Sequence, residues 1–374
     1  MSRTVKRALA VRFGGLGDIL MTTPSLRAVA ETFQTEKIDF IVGRGNKDAL
    51  TGLPYIGEVI EFGPRGMDVQ ARNFLSFLTR LRRNHYDLFL NFQPSLKTLT
   101  MQTVIGAPHN YLFVKDRRRQ RDGKVRHAID DFAKDLRSLG ITTLSSRQMD
   151  FFIPADAYGY VRELLHAEGV RQDSTLLVIN PGGTREINRW PPEKFVSLLN
   201  RLSDLHPKAH FIITGGPDDV ARAQFILEQV QTTTRERLHT MARRLSIKET
   251  GALLSRAAIY VTVDSGPMHM ASAIGTPMVV LSGAANPERT GPLNTDDLVI
   301  IRRDLDCVPC GDRSCKRNDI ACMTGMEVNW VIAAIQCRLF EAHEGNVIPL
   351  PMADSLRHTE RVTASGLVRL PDKK

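Results

Sequence analysis

The chain has 374 residues, of which 42% are hydrophobic and 24% charged, ordinary proportions that exclude a disordered, collagen-like or disulfide-scaffold chain. Its length exceeds the roughly 250 to 300 residues that one core usually supports, so about two domains are expected. Lys plus Arg number 50 against 41 Asp plus Glu, a net charge of +9, and the excess is concentrated at residues 115–126 with seven basic and two acidic side chains, which points to a partner with anionic groups.

The apolar stretch 8–13 reads as a buried strand and residues 14–17 as a turn; a helix carrying Leu26, Val29, Ala30 and Phe33 and a strand at 38–42 complete a βαβ unit. A strand at 59–62, a helix over 74–83 and a strand at 88–92 continue the alternation and predict a parallel sheet covered on both faces. The basic segment 115–127 breaks the pattern and reads as a mobile loop. After a helix near 158–168 the alternation restarts, with strands at 176–179, 211–214, 259–263, 278–282 and 298–301 and helices at 192–205, 220–230, 247–255 and 267–274. A last helix near 328–340 leads into a Pro-, Arg- and Ser-rich tail for which no structure is expected. The domains are therefore placed at 1–170 and 171–345, with a tail at 346–374. No apolar run approaches the roughly 18 residues of a membrane span. Arg12 breaks the first apolar stretch, which argues against a signal peptide and for a cytoplasmic protein.

Four segments carry chemistry. Gly14, Gly15, Gly17 and Asp18 sit where a strand hands over to a helix, the end of a parallel sheet at which ligands collect. A dinucleotide fingerprint counted from Gly15 would need a third glycine at Leu20, and no acidic residue closes the second strand, which weakens an oxidoreductase reading. Asp18 is either a helix cap or a carboxylate suited to taking a proton from a hydroxyl. The loop from Asn180 to Trp190 offers the amides of Gly182 and Gly183, the Thr184 hydroxyl, and the charges of Arg185 and Arg189 to phosphate oxygens. Asp218 or Asp219, after a third strand-to-glycine turn, would bond ribose hydroxyls or cap the next helix. Asp264, Ser265 and Gly266 precede Pro267, well placed for a first helical position, so the following amides form an anion site with His269 one turn on.

Taken in order, Leu16-Gly17-Asp18 with Thr23-Pro24, the Pro-Gly-Gly-Thr to Arg-Trp-Pro loop, Asp264-Ser265-Gly266-Pro267-Met268-His269 and Thr290-Gly291-Pro292 resemble the bacterial ADP-heptose:lipopolysaccharide heptosyltransferases, glycosyltransferase family 9. The resemblance covers roughly residues 8–340. It implies an α/β GT-B fold of two Rossmann-like domains, the N-terminal one for the acceptor and the C-terminal one for an ADP-sugar. It also implies an inverting transfer of heptose to an inner-core sugar of lipopolysaccharide, with Asp18 as general base. Donor contacts would come from Gly183, Thr184, Arg185, Asn188, Arg189, Asp219, Asp264, Ser265, Gly266 and His269, and acceptor contacts from Gly15, Arg117, Arg118, Arg119 and Arg121. The family usually has Lys where this chain has Asn188; either Arg185 or Arg189 supplies that charge, or the donor differs. A protein (autotransporter) heptosyltransferase is the nearest alternative, and a nonenzymatic nucleotide-sugar-binding protein would keep the C-terminal motifs without needing Asp18.

No cofactor is required for such a transfer. Cys307, Cys310, Cys315 and Cys322 lie close together in sequence, a spacing that favours a structural zinc or iron over disulfides in a cytosolic protein, or else four reduced thiols in a compact loop. The expected partners are an ADP-sugar, an anionic lipopolysaccharide core and, peripherally, the inner face of the inner membrane. The sequence pI of 9.5 also suits nucleic acid. Aromatics are only 6% of the chain, however, and no helix-turn-helix or RNA-binding signature lies near the basic run, so no nucleic-acid partner is expected.

Overall fold

The apolar stretch near the N-terminus forms strand β1 (Arg7–Arg12), whose residues Ala8, Leu9, Ala10 and Val11 are fully buried. A short helix, Leu16–Leu20, and a longer one, Thr23–Phe33, carry the chain back to β2 (Lys37–Val42). In the computed structural model the described residues are 5–63, 65–114, 125–294, 297–344, 358–363 and 366–369. They fall into two compact units, Met1–Phe152 and Ile153–Lys374.

The first unit adds β3 (Ile56–Glu61), β4 (Leu88–Asn91) and β5 (His109–Leu112) in the order β3-β2-β1-β4-β5, all parallel. Helix Ala71–Arg82 packs against helix Leu96–Ile105, which opens with a reciprocal capping box between Ser95 and Thr98. Phe13, Phe74 and Phe77 gather on Phe62 in the core beneath these helices. Chain order reverses between β1 and β4, so the crevice at their carboxyl ends is the switch point of this sheet.

In the second unit β6 (Leu176–Ile179), β7 (His210–Ile213), β8 (Leu238–Thr240), β9 (Ile259–Val263), β10 (Met278–Ser282) and β11 (Leu298–Ile301) are parallel, and order reverses between β6 and β9. Every residue of β6, β9 and β10 is buried, as befits strands covered by helices on both faces. Helices Pro192–Leu205 and Val328–Glu344 pack together over one face, and Trp190 is fully buried with its Nε1 donating to Met326 O at 3.1 Å.

Two expectations change. Helix Ala155–Ala167 packs on helix Ile247–Arg256, and Glu168 just beyond it pairs with Arg244 at 2.6 Å, so the units part near residue 152 rather than after 170. The tail is not structureless: β12 (Thr359–Thr363) and β13 (Gly366–Arg369) form an antiparallel hairpin that extends the sheet beyond β11. Its mixed polar composition suits an edge and hides it from a search for apolar runs. Helix Leu96–Ile105 and strands β5 and β8 were likewise not expected. The arginines Arg117, Arg118, Arg119 and Arg121 lie outside the described residues. Just after them Arg126 pairs with Asp131 at 3.4 Å and His127 is buried.

Candidate active site

In the first unit the turn after β1 is built around the Asp18 carboxylate. Gly15 stands at the N-cap of helix Leu16–Leu20, and no side chain caps that end. Asp18 is therefore not a cap. Its Oδ1 accepts from Arg12 Nη2 at 2.7 Å, and Arg12 Nη1 donates to Phe92 O at 2.8 Å. The Arg12 side chain is 14% exposed and Asp18 44%, so the acid faces solvent while its partner is covered. Gly14 is required here, since a Cβ on it would lie 2.7 Å from Asp18 Oδ2. Phe13 N donates to Gln93 Oε1 at 2.9 Å, tying the turn to the loop after β4. Gly15 has no neighbour within 4 Å of a would-be Cβ, leaving its backbone open to approach.

In the second unit three strand-to-glycine turns converge at the switch point. Asn180 Oδ1 accepts from Gly182 N at 2.9 Å and fixes the first of them. A Cβ on Gly182 would lie 2.2 Å from Asp219 Oδ1, and one on Gly215 2.6 Å from Asp219 Cβ, so Asp219 is wedged between two glycines from different turns. Its Oδ2 accepts from Gly216 N at 2.9 Å; it reaches back into its own turn and does not cap helix Val220–Gln229. Gly183 lies against Val263 at the end of β9, and Arg189 Nε donates to Gly183 O at 2.8 Å.

Asn188 ends a single helical turn, Glu186–Asn188, and is buried, with its Oδ1 lacking a hydrogen-bond partner among the described residues. Arg222, absent from the sequence-based set, belongs to this neighbourhood. Its Nη1 donates to Trp190 O at 3.3 Å, and burial, then the charge of Arg189, pushes its guanidinium below the ordinary arginine range. Thr184 and Arg185 are exposed on the loop.

Asp264, Ser265 and Gly266 are half-buried at the end of β9, and His269 is buried in the first turn of helix Gly266–Ile274. Ser265 is extended at φ −155° and does not cap that helix with its side chain, so the helix N-terminus is shaped by backbone. Tyr260 on β9 is fully buried with its hydroxyl near Thr262, Asn180 and Thr214, and burial pushes it up to about 12. Backbone amides at a helix N-terminus, a glycine loop and two nearby arginines form a site that favours an anion such as a diphosphate.

The cysteine loop lies apart from the β6–β9 turns in sequence. Cys307 and Cys310 are exposed and Cys322 buried. The amides of Ile320, then Arg317, Asn318 and Asp319, hold the Cys315 thiol below its ordinary value. Burial, then the nearby Cys310, Cys315 and Cys307, pushes Cys322 up to about 11. Among the described residues no three His, Cys, Asp or Glu side chains converge as a metal-holding group.

The sequence reading singles out Asp18 but not its partner Arg12, which there only interrupts an apolar run; the available signal was a charged residue closing an otherwise buried strand beside a glycine turn. It missed Arg222 as well, because a helix arginine carries no local mark of a site.

Residues 74–321 match the model of glycosyltransferase family 9 (heptosyltransferase). Lipopolysaccharide heptosyltransferase 3 of Escherichia coli is 26% identical over 287 residues, covering 72% of this chain and 81% of that protein. The crystal structure of a family 9 glycosyltransferase from Veillonella parvula superposes with a TM-score of 0.79 at 23% identity, covering 91% of this chain and 99% of that one. The structure of E. coli ADP-heptose lps heptosyltransferase II does so with a TM-score of 0.73 at 17% identity, covering 90% and 99%. Two Rossmann-like units with mostly parallel sheets are the α/β architecture of the GT-B class, as expected. With well over half of its length matched by the family model, the chain belongs to glycosyltransferase family 9, the heptosyltransferases, and is a glycosyltransferase.

Proposed function

We propose that the protein transfers heptose, with inversion, from ADP-L-glycero-β-D-manno-heptose to a hydroxyl of a lipopolysaccharide inner-core sugar. The acceptor O–H bond breaks as its oxygen bonds the anomeric carbon; the proton passes to Asp18, and the bond to the diphosphate oxygen breaks to release ADP. The observation that carries this reading is the pairing of chemistries at the two switch points: a solvent-facing carboxylate in the first unit, a diphosphate-suited cradle in the second. Amides around Ser265 and Gly266, with Gly183, Thr184, Asp264 and His269, hold the donor, and Asp219 takes a ribose hydroxyl. Arg189, with Arg222 beside it, supplies the charge that Asn188 cannot, while Arg185 remains at the loop rim. The buried Asn188 oxygen accepts from a donor hydroxyl or amino group.

The acceptor is anionic and borne by a bilayer. Leu75, Leu96, Leu99, Leu112, Val114 and Val125 are exposed large apolar side chains of the first unit. Helix Ala71–Arg82 and Arg83 after it bear exposed Arg72, Arg80, Arg82 and Arg83 with no acidic residue, a composition suited to peripheral contact with anionic lipid. Among the described residues no helix is long and apolar enough to cross a membrane. Arg117, Arg118, Arg119 and Arg121 are proposed, together with Gly15, to hold the acceptor, the arginines taking its phosphates and carboxylates.

Incubation of ADP-heptose with a panel of truncated lipopolysaccharides, followed by mass spectrometry, is expected to show one added heptose on an inner-core acceptor. Replacing the four arginines with Gln should raise the acceptor KM and blunt its salt dependence, because exposed charges are screened beyond about 8 Å at 0.15 M salt. Transfer only to a polypeptide, or no transfer from ADP-heptose, overturns the assignment.

The cysteine loop is proposed to hold a structural zinc or iron that takes no part in transfer. A thiol held below its ordinary value by nearby amides suits a thiolate ligand, and Ile320 and Asn318 at φ 48° and 63° show a backbone held in the left-handed region at the same turn. Because the side chains do not converge as they stand, the exposed Cys307 and Cys310 have to rotate for binding. Metal analysis of chelator-free preparations is expected to find about one ion per chain, lost together with thermal stability in Cys310→Ser/Cys322→Ser. Equal stability and no metal in the wild type would remove it.

A further inference from the structure

We propose that Arg12 is the positioning residue that sets the working geometry of Asp18, an inference that rests on the reading of Asp18 as the base. Arg12 is the last residue of β1, and the four residues before it are fully buried. A cation at that point needs a reason to stay covered. Its guanidinium supplies one by bridging two loops of the switch point: Nη1 donates to Phe92 O at 2.8 Å beyond β4, and Nη2 donates to Asp18 Oδ1 at 2.7 Å beyond β1. The guanidinium carbon lies over the Phe132 ring, 5.1 Å from its centre, a cation–π contact that further restrains the group. Nε is buried and has no hydrogen-bond partner among the described residues. The arginine is thus fixed through its two terminal nitrogens, one on the scaffold and one on the acid.

This arrangement divides the labour between the carboxylate oxygens. Oδ1 is the anchored one. Oδ2 lies over Gly14, in space that exists only because that residue has no Cβ. It is left to accept the proton of the acceptor hydroxyl. A carboxylate on so short a helix would otherwise sample several rotamers, and misplacement of a base by about 1 Å can cost about a hundredfold in rate. Anchoring by a rigid, planar donor removes that freedom, which a lysine ammonium would do less well because it cannot engage Phe92 O and Asp18 in the same fixed geometry.

The test measures transfer from ADP-heptose to a truncated lipopolysaccharide on which the wild type turns over, together with the rise in melting temperature caused by ADP. Arg12→Gln is expected to lower kcat by about tenfold or more with the ADP effect unchanged, and Arg12→Lys to recover part of the loss. In an Asp18→Asn background the same Arg12→Gln change should cost less than about threefold, because the two residues act as one unit. If Arg12→Gln does not fold, Arg12→Lys decides: it keeps the charge and the packing stem, and is expected to fold and to lose turnover by about threefold or more. Wild-type turnover in Arg12→Lys and Arg12→Gln, with Asp18→Asn inactive, would overturn the role of Arg12 and leave Asp18 in place. Full additivity in the double variant would reduce Arg12 to a structural ion pair. An active Asp18→Asn would instead remove the reading on which the inference rests.

Discussion

Asp18→Asn is expected to lower turnover by at least about a hundredfold, the low end of what a positioned general base contributes, while ADP protects and stabilises the variant as it does the wild type. The substitution is nearly isosteric. Its amide oxygen can still accept from Arg12 Nη2 in place of Oδ1, so the turn and its link to Phe92 should survive. What is lost is the basic oxygen over Gly14: an NH2 there donates where the mechanism needs an acceptor. The expected pattern is a fall in kcat with little change in donor KM, since Asp18 belongs to the first unit and the diphosphate-suited turns to the second. Turnover within threefold of wild type, measured at saturating ADP-heptose, would remove Asp18 from the base role. A matching loss of ADP stabilisation would show that the change had acted through folding.

The parts of this fold that sequence could deliver are those whose burial is two-sided. β6 is an unbroken apolar run and β9 and β10 are nearly so, with only Thr262 and Ser282 strongly polar, because helices cover both faces, and each is found where it was expected. β5 is an edge strand reading His-Asn-Tyr-Leu with only Tyr111 buried, and helix Leu96–Ile105 spaces threonines among its apolar residues, so neither announces its period. The β12–β13 hairpin is hidden by the same polarity that protects an exposed edge.

The site divides along similar lines. Glycines and acids clustered after buried strands mark the turns, because parallel sheets collect ligands at their carboxyl ends. Contacts between turns leave no local trace. Arg12 reaches Phe92 O beyond β4, Asp219 is wedged by Gly182 from another βα unit, and Arg222 feels the charge of Arg189 from a separate segment. Such pairs are set by strand order, which sequence periodicity does not encode.

That wedge leads to the second large expected effect: Gly182→Ala should abolish most of the ADP-induced stabilisation while the protein still folds. An added Cβ would lie 2.2 Å from Asp219 Cγ and Oδ1 and 2.3 Å from Oδ2, well inside contact distance. Asp219 cannot turn away without loss, since its Oδ2 accepts from Gly216 N at 2.9 Å. Either the carboxylate leaves the turn or the loop from Asn180 shifts, and both move groups assigned to ribose and diphosphate. Overpacking of this kind typically costs about 1 to 3 kcal/mol, a tolerable loss for a chain with two cores. A tenfold or greater weakening of ADP binding corresponds to about 1.4 kcal/mol or more and would read out directly in calorimetric titration. The double variant Gly182→Ala/Asp219→Ala separates the two consequences. Removing the carboxylate relieves the clash and should restore the melting temperature, but it also removes the proposed ribose contact, so ADP affinity stays low. Wild-type ADP affinity in Gly182→Ala would mean that the nucleotide does not use this turn. Restored affinity in the double variant would mean that Asp219 shapes the loop without touching the donor.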